Sequence, residues 1–199
     1  AIAFTSGSSG FPQAHAKSWG SLVMGARALG QQFGLTQSLP RVAVGTVPAQ
    51  HMYGLETTIM LPLQWGWSLH AGTSILPADL RADLEQLESP AWLMTTPFHL
   101  KAFLRERMNL RGLEGIISAT MPLDRAIALS AERLWHVPVH EIYGCTEGGM
   151  LASRRTTAGE AWTLCHDLRM RHAEDTTWVM GGHVGAWLQL SDRITLRSQ

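Results

Sequence analysis

Near the start of the chain, Thr5-Ser6-Gly7-Ser8-Ser9-Gly10 gathers four hydroxyls around two glycines, within the stretch AIAFTSGSSGFPQAHAKSW. Hydroxyls and unshielded backbone N–H groups are donors for phosphate oxygens. An order of strand, polar glycine loop and helix is the setting in which such donors converge on one anion. The spacing excludes two sharper chemistries. A Walker A loop would need a second Gly after four residues, followed by Lys and Ser or Thr, and these are missing. Gly7, Ser9 and Phe11 do not make the Gly-x-Ser-x-Gly elbow of a serine hydrolase. By itself the loop is equally compatible with a plain turn.

Other reactive side chains form no such constellation. His136 and His140 flank Pro138 in an extended stretch, so their spacing is not that of a helical zinc pair, and no Glu completes the motif. Cys145 and Cys165 have no metal-ligand spacing and do not describe a disulfide scaffold. No spacing favours a Cys-His catalytic pair.

The elements that must position the loop follow from hydrophobic period and turn residues. IAFT predicts a short strand, and residues 17–34 predict a helix carrying Trp19, Leu22, Val23, Ala26, Leu29 and Phe33 on one side. A strand is expected over 42–47, a helix over 54–66 ending near Pro62, and a strand over 68–76. Next comes a helix over 79–89, with Asp79 as N-cap. The alternation continues as strand 91–96, helix 97–108, strand 115–120, helix 122–135 and strand 137–144, with Pro97 and Pro122 opening helices. Beyond residue 148 the pattern changes to short extended segments: 149–155, 160–165, 168–171, 176–181, 186–191 and 193–197. The reading is therefore an α/β core over 1–153 followed by a short-stranded β subdomain over 154–199, a small antiparallel sheet or barrel.

Composition bounds the partners. The 199 residues are 45% hydrophobic and 16% charged, with 16 basic and 16 acidic residues. That is ordinary globular composition, without the basic footprint of a nucleic-acid binder. No apolar run reaches membrane-spanning length and no basic segment precedes a signal-like apolar block. A reducing, cytoplasmic setting is the expectation, and oligomeric state leaves no trace in the sequence.

Taken with later segments, the loop resembles the phosphate signature of the acyl- and aryl-adenylating enzymes, the superfamily of acyl-CoA synthetases, nonribosomal peptide adenylation domains and luciferases. The family pattern is Thr-Ser-Gly-Ser/Thr-Thr-Gly, one variable residue, then Pro-Lys. Here Ser9 replaces Thr, and Gln13 replaces the Lys, which removes a charge that helps hold phosphates. Lys17 lies one helical turn farther on as a longer-reach substitute. PAQHMYGL, with His51, is similar to the segment bordering the acyl pocket. ISATMPL, with Ser118, Ala119, Thr120 and Met121, resembles the turn that packs along adenine. IYGCTEGG matches Tyr-Gly-x-Thr-Glu through Tyr143, Gly144, Thr146 and Glu147.

The resemblance implies that Thr5 through Gly10 and Thr146 position phosphates, that Tyr143 and Gly144 border adenine, and that Glu147 holds magnesium, which favours hard oxygen ligands. Asp192, in GAWLQLSDRI, is the candidate for the ribose-binding Asp, although Leu190 and Ser191 stand where the family has Thr-Gly; Asp167 is the runner-up. Trp65 and Trp67 are candidate walls of an aromatic acyl pocket, with ordinary packing as the alternative for at least one of them. The implied reaction is attack of a small-molecule carboxylate on the α-phosphate of ATP, giving an acyl- or aryl-adenylate. Transfer to coenzyme A or to the phosphopantetheine of an acyl or aryl carrier protein follows. A nucleotide-binding module without adenylation and, more remotely, a serine hydrolase are the competing readings. The resemblance also makes this chain the central part of a larger domain. An upstream segment and a mobile C-terminal domain bearing a catalytic Lys lie outside it, so the chain alone is expected to lack normal turnover.

Overall fold

The computed structural model describes residues 1–5, 13–37 and 39–196, so Ser6, Gly7, Ser8, Ser9 and Gly10 lie outside the described residues. β1 (Ile2–Thr5) pairs antiparallel with β2 (Gln13–Ala16), Thr5 opposite Gln13 and Ile2 opposite Ala16. The expected helix over 17–34 is shorter at both ends. Ser18 caps α1 (Trp19–Gln32) by accepting from the Ser21 N–H at 3.0 Å.

A seven-stranded sheet follows in the order β4-β3-β5-β6-β7-β8-β9. β3 (Val42–Gly45), β4 (Ser68–Thr73), β5 (Ala91–Thr95), β6 (Leu113–Ser118) and β7 (Val139–Cys145) run parallel. β8 (Gly149–Arg155) and β9 (Thr163–Leu164) turn antiparallel at one edge. Period-two alternation assigns the faces. Val42, Val44, Leu93 and Ile116 pack against α4 (Pro77–Glu85), α5 (Pro97–Arg105) and α6 (Arg125–Trp135) through Leu80, Leu84, Leu100, Phe103 and Trp135. Their neighbours Ala43, Trp92, Met94 and Ile117 face the other way, onto Leu29, Leu61 and Trp67. Both faces of the parallel strands are covered, which is why VAVG and AWLMT read as continuous apolar runs.

Three further helix boundaries differ from the expectation for identifiable reasons. Pro62 does not end its helix. α2 (Met52–Gly54), a π-helical stretch Leu55–Met60 and α3 (Leu61–Trp65) run on to Gly66, which closes the helix at φ +70°. The Leu61 N–H bonds five residues back to Glu56 O, and this wider turn relieves the clash that a proline ring has with the preceding turn. Pro122 precedes α6 rather than opening it. Asp124 is the cap, its Oδ1 accepting from the Ala126 N–H at 2.6 Å and the Ile127 N–H at 3.4 Å. Similarly, Asp79 falls in the first turn of α4, behind Leu76 at the N-cap position and Pro77.

The tail supplies β10 (Leu168–Ala173), β11 (Thr176–Gly181) and β12 (Leu188–Leu190), an antiparallel three-stranded sheet. Its inner residues Leu168, Val179 and Leu190 join the same core as Leu29 and Ile142. β8 runs through residue 153 and β9 pairs with it, so the extended tail contributes to both sheets. The expected segment over 193–197 forms no strand among the described residues.

Candidate functional site

Five parallel strands end at Gly45, Thr73, Thr95, Ser118 and Cys145, and the carboxyl edge of a parallel sheet is where α/β proteins place their ligands. Ser118, Ala119, Thr120 and Met121 leave this edge directly after β6, and Tyr143, Gly144, Thr146 and Glu147 lie at the end of β7 and in the turn to β8. Ser118 is fully buried, and its Oγ has no hydrogen-bond partner among the described residues. Ala119 is buried too, and its N–H bonds to Thr95 O at 3.3 Å. Thr120 adopts φ +79°, a left-handed conformation costly for a β-branched residue, of the order of 1–3 kcal/mol. Met121 is exposed.

The β7–β8 turn is held from several directions. Lys17, just after β2, donates from Nζ to the Glu147 carbonyl, joining segments 130 residues apart. His15 Nε2 stands 3.5 Å from Glu147 Oε1. The Gly148 N–H donates to Cys145 Sγ at 3.2 Å, and Gly144 faces Gly149 so closely that a Cβ on Gly144 would lie 2.2 Å from Gly149 O. Thr146 is half-buried and Glu147 exposed. Burial pushes the Lys17 ammonium below its ordinary range, opposed by the negative fields of Glu56, Cys145 and Glu147. Burial pushes the Cys145 thiol up to about 11, so this cysteine is no nucleophile near neutrality.

Asp192 is brought to the same place. The Tyr143 hydroxyl donates to Asp192 Oδ2 at 2.7 Å, and burial, then this carboxylate, raise the phenol above its ordinary range. Tyr143 also meets Trp162 edge-on at 5.9 Å, and Arg154 lies over the Trp162 ring at 4.4 Å. Asp167 instead pairs with the exposed His166 at 2.8 Å.

The proposed acyl-pocket residues divide. His51 is exposed at the start of α2, six residues past the end of β3 and so near the carboxyl edge. Trp65 and Trp67 are both packed, the alternative that the sequence left open for at least one of them. The Trp65 indole N–H donates to Ala26 O at 3.1 Å while its ring fills the space beside Gly30. Trp67 is buried just before β4, against Trp92 at 5.8 Å and under Arg41 at 5.7 Å. Both therefore sit at the opposite end of the sheet from Ser118 and Cys145. Their size promised a wall, but a tryptophan's area serves a core equally well.

Sequence reading missed the polar groups beneath the turn. Glu56 is buried in the π-helical stretch, and Oε1 accepts from the Met150 N–H at 3.2 Å. Desolvation lifts its carboxyl to about 7, countered by the Met150 bond and by Lys17. His183, also buried, has Nε2 2.7 Å from Met150 O; the carbonyl can only accept, so Nε2 carries the proton. Burial lowers its pKa, so the neutral ring is favoured. A single acid inside GLETTIMLPL was the available signal. Nearby, Thr46, Thr95 and His99 form a hydrogen-bonded group at the same edge, Thr46 Oγ1 lying 2.8 Å from Thr95 Oγ1 and 3.0 Å from His99 Nδ1. Tyr53 O–H crosses under it to Thr95 O at 3.0 Å and Ile117 O at 2.8 Å.

Among the described residues no group of three or more His, Cys, Asp and Glu could hold a metal. The exposed Glu147 carboxylate, with His15 Nε2 3.5 Å from Oε1, is a hard oxygen donor of the kind magnesium favours.

The fold is that of the adenylate-forming enzymes: an acyl-CoA synthetase (AMP-forming)/AMP-acid ligase II-like protein from Dyadobacter fermentans superposes with a TM-score of 0.75 at 18% identity, covering 98% of this chain and 57% of that one. The chain belongs to the family described as AMP-binding enzyme, whose sequence pattern matches residues 1–189. It is 32% identical over 184 residues to a 4-coumarate–CoA ligase of Rhodobacter capsulatus, covering 88% of this chain and 44% of that protein. A 4-coumarate–CoA ligase of Halorhodospira halophila is 30% identical over 174 residues, covering 83% and 38%. The chain thus spans less than half the length of these curated relatives. No helix among the described residues is long and apolar enough to cross a membrane.

Proposed function

We propose that this chain carries the nucleotide-binding centre of an enzyme that activates a small carboxylic acid as its acyl- or aryl-adenylate and passes the acyl group to a thiol. The observation that carries the reading is the meeting of three distant segments at one sheet edge: Lys17 on the Glu147 carbonyl, the Tyr143–Glu147 turn itself, and Asp192 on Tyr143. Membership of the AMP-binding family supports ATP as the nucleotide, and the ligase relatives favour coenzyme A over a carrier-protein thiol as acceptor.

In this reading the carboxylate oxygen attacks the α-phosphorus of ATP and pyrophosphate leaves. Hydroxyls of Thr5, Ser6, Ser8, Ser9 and Thr146, with the N–H groups of the Gly7–Gly10 loop, orient phosphate oxygens. Lys17 adds positive charge at longer reach than the Lys that Gln13 replaces. Bound magnesium would neutralise phosphate charge that repels the incoming carboxylate. Glu147 is the residue that would hold it. Tyr143 and the Ser118–Thr120 turn flank the adenine, Asp192 receives the ribose hydroxyls, and His51 and Met121 border the acid.

Carboxylate-dependent exchange of labelled pyrophosphate into ATP, measured on the full-length protein with aromatic, fatty and amino acids, tests the proposal. Exchange with at least one acid class is expected, as is its loss in Glu147→Ala with the fold retained. ATP binding without exchange for any acid would leave a nucleotide-binding module in place of an adenylating enzyme, and unchanged exchange in Glu147→Ala would remove that residue from its role.

A further inference from the structure

The Met150 peptide is gripped on both sides by buried side chains from remote parts of the chain. Its N–H donates to Glu56 Oε1 at 3.2 Å, and its carbonyl accepts from His183 Nε2 at 2.7 Å. Met150 is the second residue of β8, three positions beyond Glu147, and the connection to β7 is only residues 146–148. Such a short link cannot absorb a shift of its anchor, so the position of Met150 determines the positions of Thr146 and Glu147. Glycines make room for the grip. A Cβ on Gly149 would lie 2.3 Å from Glu56 Oε1, and one on Gly25 would lie 3.4 Å from the same oxygen and 3.5 Å from His183 Cγ. Helix α1, the π-helical stretch, the tail and the turn therefore meet at one carboxyl group.

We propose that Glu56 is a positioning residue for adenylation: with His183 it fixes the Met150 peptide and thereby sets the placement of Thr146 and Glu147 at the nucleotide. The inference rests on the adenylation reading above for its consequence and on the geometry at Met150 for its cause. Glu56 itself touches no reacting atom. What matters is a buried acceptor oxygen at this reach. Gln supplies one, Leu supplies none, and Asp carries the same charge on a side chain shorter by one C–C bond.

Two readouts on the full-length protein separate cause from consequence. Amide hydrogen exchange of a peptide spanning residues 146–150 should quicken about tenfold or more in Glu56→Leu and Glu56→Asp, with residues 91–95 of β5 unchanged and Glu56→Gln close to wild type. In pyrophosphate exchange, Glu56→Leu and Glu56→Asp should lower kcat by about tenfold or more while KM for the acid stays within about twofold, and Glu56→Gln should restore the rate. Glu56→Asp keeps the test decisive if Glu56→Leu does not fold. Unaltered protection of 146–150 in the Asp variant overturns the inference, as does altered protection with kcat unchanged. If the wild-type protein exchanges no pyrophosphate with any acid, the adenylation reading fails on its own account. A positioning role for adenylation then fails with it, while hydrogen exchange still decides whether Glu56 holds the turn.

Discussion

Replacing Gly149 with alanine should cost far more than replacing Gly66, although the two glycines share almost the same backbone conformation. Gly149 has φ +74° and Gly66 φ +70°. A side chain in that region costs about 1–2 kcal/mol from contact between Cβ and the following carbonyl. Among the described residues nothing lies within 4 Å of a Cβ on Gly66, so Gly66→Ala should cost that amount and no more. At Gly149 the added methyl would stand 2.3 Å from Glu56 Oε1 and 3.3 Å from its Cδ. The carboxyl must withdraw, and the buried Met150 N–H loses the acceptor it uses there. Losing a charge-bearing acceptor from a buried donor costs a further 1–3 kcal/mol or so, which brings Gly149→Ala to about 2–5 kcal/mol. The hairpin cannot move away instead, because Gly144 already lies against Gly149 O.

The measurement is urea unfolding of the full-length protein, followed by tryptophan fluorescence, for both alanine variants. A double-mutant cycle with Glu56→Ala sharpens it. Once the carboxyl is gone, Gly149→Ala should cost only its backbone strain, giving a coupling of about 1–3 kcal/mol. Additivity within about 0.5 kcal/mol would refute the claim that the two sites meet through one oxygen.

Other outcomes follow from single observations. Asp124→Ala removes the cap that two N–H groups share at the start of α6 and should lower stability by about 1 kcal/mol, whereas Asp124→Asn should cost only a few tenths, as read by thermal unfolding. Leu100 is fully buried and Leu100→Ala should cost about 2–5 kcal/mol in urea unfolding, while Phe98, 69% exposed two positions earlier, should tolerate alanine within about 0.5 kcal/mol. Glu56 titrates at about 7 in the folded chain against 4.5 as its ordinary value, so the folded state holds the proton more tightly. Its stabilising contribution is complete below about pH 4.5 and is lost as pH rises through about 7, a span of about 3 kcal/mol that Glu56→Gln should remove from the pH dependence of urea midpoints.

Much of this architecture could be read from local pattern. VAVG, AWLMT and GIIS announce strands covered on both faces, and the helices between them carry their apolar sides at helical spacing. Tyr143 through Glu147 could be picked out as a motif because its chemistry is contiguous. Asp192 is a candidate by resemblance, and its carboxylate accepts from the Tyr143 hydroxyl. What escaped was set by tertiary contact. Glu56 looks like the polar stripe of an amphipathic helix until Met150 and His183, 94 and 127 positions later, close over it. Trp65 and Trp67 carried the opposite ambiguity, since large apolar area says that a residue is covered and not by what. QAHA extended into β2 because β1 was there to pair with it, a partner that a four-residue window does not weigh.

The location of the candidate site follows from the point at which the sheet changes direction. Between parallel strands the chain must leave the carboxyl edge and cross back over a face, so residues that follow β3, β5 and β6 are soon carried away. Between β7 and β8 it reverses in three residues, and Thr146 and Glu147 stay at the edge. Such a tight reversal at the rim of a covered sheet brings two backbones together, which is what Gly144 and Gly149 accommodate. It also buries the first peptides of β8, whose polar groups then need partners from elsewhere. Glu56 and His183 meet that need. On this account the buried acid is a consequence of putting a polar turn at the end of an apolar strand, and its hold on Thr146 and Glu147 follows from the same shortness of the link.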